Sequence, residues 1–399
     1  MTKQSVGIYG ILSLLLLSII WNYWLPSARD YLNTVGPTYD VANVDFFAYF
    51  RGGEAYLRGV EPYAGTRDGQ LFIYPPTFVP LYGVLAGIDY DDARIVWVVV
   101  YASLFLLTAC LVVLQAKPDY RWPLALAILF ITSVSYPLRY LIKQGQIDLI
   151  VASLSFLSFV VYRWRLRWLS ALILSLAVFV KLNPVFFLIT FVIFFRDWKY
   201  LVWFGVWSLS IIGVSLLFFP LDWYRAFVME VLPALTKSQT FYYNQTPLRF
   251  FAGDRWIPRI ITAIGLGLLT IMGIVLGRKS MRTSVISDYK RADAFFLLNA
   301  LVILVFSGSA WIMAYVWFIL PVAVVLVSLI GNAKPIYIAG VGLAIAAIHA
   351  RLINLPVLNA INMLGAGILI VLLVIYLFLP KMILEASHHS DKVQEAGKP

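Results

Sequence analysis

Apolar runs of about 20 residues recur along this chain, and that length is what a helix needs to cross the hydrocarbon core of a bilayer. They fall at 7–24, 94–115, 122–138, 147–162, 200–219, 256–277, 293–309, 313–330, 335–350 and 360–380. Away from water a backbone must satisfy its own N–H and C=O groups, so runs of this kind fold as helices. The expectation is an all-α polytopic membrane protein with roughly 10–12 transmembrane helices. Residues 1–380 read as one integral membrane domain, followed by a polar tail at 381–399. The composition agrees, because 61% hydrophobic and 13% charged residues are more apolar surface than a soluble core absorbs.

Two stretches break the pattern. Residues 168–195 are too long for one span and short for two. They read as a hairpin of half-helices broken at Asn183-Pro184. Residues 73–88 begin Tyr74-Pro75-Pro76 and are short, which suits a re-entrant or interfacial segment. The first run, 7–24, reads as an uncleaved span.

The net charge of +11 does not signal nucleic acid, because the Lys and Arg residues sit in short loops between spans, where they set topology. One parity places the basic loops around Lys117–Arg121, Arg163–Arg167, Arg196/Lys199, Arg278–Arg291 and Lys334 in the cytoplasm, together with both termini. Trp21 and Trp24 then mark the outer interface, and the two long loops, 25–93 and 220–255, lie outside. The single cysteine, Cys110, excludes a disulfide framework, and three histidines (His349, His388, His389) make no metal motif. No internal repeat is visible, which argues against a transporter built of duplicated halves.

The first outer loop interleaves polar and aromatic residues from Asn43 to Tyr56, as an amphipathic segment on the membrane plane does. Within it, Asp45 sits among Phe46, Phe47 and Tyr49. Partial desolvation raises a carboxylate's pKa, which suits a general base. Further polar groups reach the same outer side: Arg139, Lys143, Gln146 and Asp148; Lys181; Asn244, Gln245 and Arg249; and Trp311 at the start of a span. Ionisable groups at membrane depth are costly and mark function. Glu54 and Glu61 stand in ordinary loop contexts, so no second acid is expected to face Asp45 as glycoside hydrolysis requires. One base with several cations suits transfer from an anionic leaving group, such as a lipid phosphate.

These residues resemble a known family. Asp45-Phe46-x-x-Tyr49-Phe50 with Glu54-Ala55, then Gly59-x-x-Pro62-Tyr63, then Phe72-x-Tyr74-Pro75-Pro76 resemble the first outer loop of glycosyltransferase family 87. Gly145-Gln146 is similar to its Gly-Gln element, with Asp148 where Asn is commoner. Lys181-Leu182-Asn183-Pro184 resembles its Lys-x-x-Pro, Asn244-Gln245-Thr246 its Asn-Gln-Ser, and Ser307 to Trp311 its Ser-x-x-x-Trp. One departure is that Ile312-Met313-Ala314-Tyr315 follow Trp311, where the family often places His.

The resemblance implies a GT-C-type bundle in the cell membrane, working on the extracytoplasmic side as a polyprenyl-phosphate-sugar-dependent hexosyltransferase. In that reading Asp45 deprotonates the acceptor, and Lys181, Arg139, Lys143 and Arg249 hold the donor phosphate. Glu54, Tyr63, Tyr74, Gln146, Asn244, Gln245 and Trp311 meet sugar or acceptor. The partners implied are a lipid-linked donor, probed first as mannose, a glycolipid or glycan acceptor, and membrane lipids. Neither a cofactor nor a metal is required, and Asp89/Asp91/Asp92 is the one acidic cluster to consider for a cation. The alternatives are a lipid-linked sugar flippase and a polymer ligase.

Overall fold

The computed structural model describes residues 44–63, 72–235, 246–251, 254, 256–280, 285–306, 311–330, 333–349 and 361–379. The first apolar run with Trp21 and Trp24, the polar tail, and Asn244 and Gln245 lie outside them. The described residues are almost entirely helical and contain no strand. Among the described residues, four helices are long and apolar enough to cross a membrane, or five if the bent pair Pro118–Val134 and Tyr136–Gln144 is one span. The chain is therefore an all-α, multi-pass membrane protein. Several of the runs anticipated as spans form shorter apolar helices, among them Arg167–Val180 and Pro335–His349.

We number the helices α1 (Val44–Leu57), α2 (Val79–Ala86), α3 (Tyr90–Gln115), α4 (Pro118–Val134), α5 (Tyr136–Gln144), α6 (Asp148–Arg163), α7 (Arg167–Val180), α8 (Trp198–Ser215), α9 (Asp222–Ala226), α10 (Leu232–Leu235), α11 (Ile257–Ser280), α12 (Val285–Val305), α13 (Ile319–Leu329), α14 (Pro335–His349) and α15 (Ile361–Phe378). The centre is α12 from Ala292 on, with the 3-10 segment Ile312–Phe318 and α13, where almost every side chain is buried. Helices α3, α8 and α11 instead present Val99, Leu106, Leu209, Val214 and Ile264 outward. On a soluble protein such surface would aggregate, and here it faces lipid.

Local chemistry explains the breaks. Asp89 caps α3 by accepting from Asp91 N at 2.9 Å, and Asp91 pairs with Arg94 at 3.5 Å. The acidic cluster thus serves a helix start, where carboxylates favour the positive dipole end. Between α4 and α5 the chain bends by 62°. Ser135 has extended backbone there and caps α5 by accepting from Leu138 N, with Pro137 inside the first turn.

The stretch 168–195 breaks two residues earlier than its sequence suggests. Helix α7 stops at Val180, and Lys181 is extended (φ −154°, ψ 131°). Pro184 then sits in the first turn of the next segment, Asn183–Phe187, where a missing N–H costs nothing. The 73–88 stretch is a 3-10 turn, Pro76–Phe78, running into the eight-residue α2, too short to span.

Two glycine contacts fix α1. A Cβ on Gly53 would lie 2.1 Å from the Tyr82 carbonyl oxygen, so α1 and α2 touch backbone to backbone. Gly145 ends α5 in left-handed geometry (φ +66°), and a Cβ there would lie 2.6 Å from Phe46 Cβ. Replacing Gly145 by Ala would impose a strained φ and push Phe46 away, at a cost of about 1–3 kcal/mol. The expected outcome is a lower unfolding temperature in detergent together with a loss of activity, since Phe46 adjoins Asp45.

Candidate active site

Asp45 lies in the first turn of α1 and is half-buried, and Tyr49, one helical turn on, shares its face. Burial raises the Asp45 carboxyl from 3.8 to about 7, partly offset by Lys181 and reinforced by Asp148. The carboxylate anticipated as a base is thus poised near neutrality, where general bases are most effective.

A second carboxylate, Asp148, does stand within electrostatic reach of Asp45. It went unrecognised because it is 103 residues away in sequence and reads there as a replaced Asn. Asp148 is fully buried at the start of α6. Lys181 Nζ donates to both of its carboxylate oxygens, at 2.8 and 2.9 Å, and Trp317 Nε1 donates to Oδ1 at 3.1 Å. With its charge matched by Lys181, Asp148 is no free acid for a glycosidase pair. The Asp148 backbone N–H donates to the Gln146 side chain at 3.0 Å, which accounts for Gln146 at this turn.

A tyrosine chain ties the outer loop to this turn. Ile147 N donates to the Tyr49 hydroxyl at 3.2 Å, Tyr49 donates to Tyr74 OH at 2.9 Å, and Tyr63 donates to the Tyr74 carbonyl at 2.7 Å. Trp97 Nε1 holds the Gly145 carbonyl at 2.8 Å. Burial foremost, with neighbouring ionisable groups, pushes the Tyr49 and Tyr74 phenols up, so both stay protonated as hydrogen-bond donors. Tyr74 lies within electrostatic reach of both Asp45 and Asp148. Tyr63 lies behind Tyr74 as its support.

The remaining sequence candidates divide. Arg139 and Lys143 are half-buried, one turn apart on α5, the helix that leads into Gly145. Trp311 is half-buried and packs against the core at the head of the Ile312–Phe318 segment. Arg249 lies in the turn Pro247–Phe251, and its side chain is outside the described residues. Glu54 is not brought to the site. Nine residues from Asp45, it falls on the opposite face of α1 at 100° per residue and is held by Arg51 at 2.8 Å and Arg58 at 4.0 Å. Sequence reasoning missed Tyr49 and Trp317. Helical spacing from Asp45 offered a signal for the first, and an apolar run hid the second.

An apolar groove of about 760 Å³ runs between α2 and helices α7 and α8. Its lining includes Thr77, Leu81, Val84, Leu172, Leu176 and Val214. Two of its polar lining residues, Thr77 and Ser215, are tied together by the Tyr224 hydroxyl, at 3.0 Å from Thr77 Oγ1 and 2.7 Å from Ser215 Oγ.

The model of one protein family, described as glycosyltransferase family 87, matches residues 72–308, more than half of the chain. Tyr74, Gln146, Asp148 and Lys181 lie inside the matched region, and Asp45 precedes it. No curated protein matches the chain.

Proposed function

The chain belongs to glycosyltransferase family 87 and is a membrane glycosyltransferase, and from that premise we propose that it moves a hexose from a polyprenyl-phosphate carrier to an extracytoplasmic glycolipid or glycan. Asp45 takes the proton of the acceptor hydroxyl as its oxygen attacks the anomeric carbon. The bond from that carbon to the phosphate oxygen breaks, its electron pair leaves on the phosphate, and the configuration inverts. Lys181, with Arg139, Lys143 and Arg249, takes up the phosphate charge. An ammonium has three N–H donors, and Asp148 uses two, which leaves one for the donor. Tyr74, Gln146, Asn244, Gln245 and Trp311 are the sugar and acceptor contacts in this reading. Mannose is the donor sugar we would try first, and the site faces the outer side of the cell membrane.

The observation that carries this reading is the Asp45 carboxyl within electrostatic reach of the Lys181 ammonium, which is paired to the buried Asp148. The apolar groove favours a lipid-borne donor over a nucleotide sugar, because its wall continues the lipid-facing surface of α8 through Val214 and, just past the helix, Phe218, which suits an isoprenoid chain and not a charged nucleotide. The test supplies radiolabelled mannose in two forms, as polyprenyl-phosphate-mannose and as a nucleotide sugar, with protein in nanodiscs and a lipid extract as acceptor. Label is expected in product from the lipid donor alone. Label from the nucleotide sugar in the absence of any lipid donor overturns the proposal.

Filling the groove separates the two ends of the donor. Leu176→Trp is expected to raise KM for a long-chain donor by about tenfold, equivalent to some 1.4 kcal/mol of lost apolar contact. It should leave kcat unchanged, along with the KM of a donor carrying a short, water-soluble chain. Equal changes for both donors would place the lipid elsewhere.

A further inference from the structure

The Lys181–Asp148 pair is built with more care than an ammonium needs simply to be buried. Lys181 sits at a backbone break, in extended geometry between α7 and the Asn183–Phe187 turn. That places its side chain across to the first residue of α6, where both carboxylate oxygens take its protons at 2.8 and 2.9 Å. The carboxylate is itself fixed by Trp317 Nε1 at 3.1 Å, and its backbone by Gln146 at 3.0 Å. Asp45 sits on the helix whose Phe46 and Tyr49 meet Gly145 and Ile147, next to Asp148 in the chain, and it lies within electrostatic reach of both Lys181 and Asp148. A lysine within reach of two carboxylates and held by neither would be free to pair with either.

We propose that Asp148 is a positioning residue that holds the Lys181 ammonium by a bidentate pair and so keeps it from neutralising Asp45. The assignment deepens the transferase reading and rests on Asp45 as its base. A base paired directly to an ammonium is a weak one, since an opposite charge within about 4–6 Å favours the ionised form. Asp148 takes up the positive charge, so that Asp45 keeps its affinity for a proton while Lys181 stays in the site for the phosphate. Beside these two charges, Asp45 has the neutral phenols Tyr49 and Tyr74 around it. The charged groups on the other elements that touch α1 are Arg139 and Lys143 on α5, Asp91, Asp92 and Arg94 on α3, and Asp222 and Arg225 on α9.

The test reads the Asp45 carboxyl itself, so it stands apart from sugar transfer. Infrared spectra of the full chain in nanodiscs are recorded from pH 4 to 9, and subtracting those of Asp45→Asn isolates the Asp45 band. The same subtraction is made in Asp148→Asn and Asp148→Glu backgrounds. In Asp148→Asn the Asp45 midpoint is expected to fall by at least about one pH unit, while Asp148→Glu holds it within about half a unit of wild type. An unmoved midpoint in Asp148→Asn, or equal displacement in both variants, overturns the proposal. Should Asp148→Asn not fold, Asp148→Asn/Lys181→Met removes the pair as a unit, a change that buried pairs often tolerate. The proposal expects a midpoint within about one unit of wild type there, and a larger rise means that Lys181 acts on Asp45 unopposed. Wild type that titrates as described but transfers no sugar would sink the transferase reading alone.

Discussion

Asp45→Asn is expected to lower the rate of sugar transfer by about 10²- to 10⁴-fold, the usual contribution of a positioned general base, with little change in KM for the donor. Asparagine keeps the size and hydrogen bonding of the side chain but takes no proton. The wild-type rate carries a second signature. Asp45 works ionised, and burial has raised it to about 7, so kcat/KM should climb as pH rises through about 7 and level off above it. Stability runs the other way. A carboxyl raised in the fold holds its proton more tightly there than in the unfolded chain. Its contribution to stability is therefore present below its ordinary value of 3.8 and is lost as pH rises through about 7. The protein is least favoured by this group at the pH where the group is most active. A rate profile flat from pH 5 to 9, or an Asn variant with near wild-type turnover, would remove Asp45 from the chemistry.

Lys181→Gln is expected to lose both fold stability and transfer. Asp148 is wholly buried and Lys181 only partly so, so removing the lysine strands a buried charge, at a cost of about 3–5 kcal/mol. The unfolding temperature in detergent, followed by tryptophan fluorescence, should drop clearly, and transfer by the fraction still folded should fall with it. Lys181→Arg keeps the charge and should restore most of the stability. Recovery of transfer is expected to lag, because a planar guanidinium cannot reproduce the ammonium geometry at both Asp148 oxygens and the donor phosphate. Normal stability in Lys181→Gln would mean that Asp148 is not charged in the folded protein.

Much of the fold was legible because the bilayer leaves a chain few options. Apolar runs, Pro-bearing breaks and a short segment at 73–88 became helices, bends and the Pro76–Ala86 turn-and-helix. The break in 168–195 was misplaced by two residues because Pro184 drew attention, whereas α7 ends where Lys181 turns to reach Asp148. Asp45, Lys181 and Gln146 stood out as polar groups where polar groups are costly. What binds them together did not. Asp148 lies 33 residues from Lys181 and 169 from Trp317, and Tyr49 lies 98 from Ile147. Pairings at such separations come from packing, which local pattern does not encode. Glu54 shows the reverse, since helical phase alone turns it away from Asp45.

The central claim is a single displacement at a lipid-phosphate-linked sugar with Asp45 as base. The most direct measurement follows a hexose labelled with ¹³C at its anomeric carbon, supplied on a polyprenyl-phosphate donor of defined configuration to the wild-type protein in nanodiscs. Nuclear magnetic resonance then reads the first-formed product. The account predicts that the label appears in product with the configuration opposite to that of the donor. Label that stays on the carrier with every acceptor fraction tried, or product that retains the donor configuration, would contradict it.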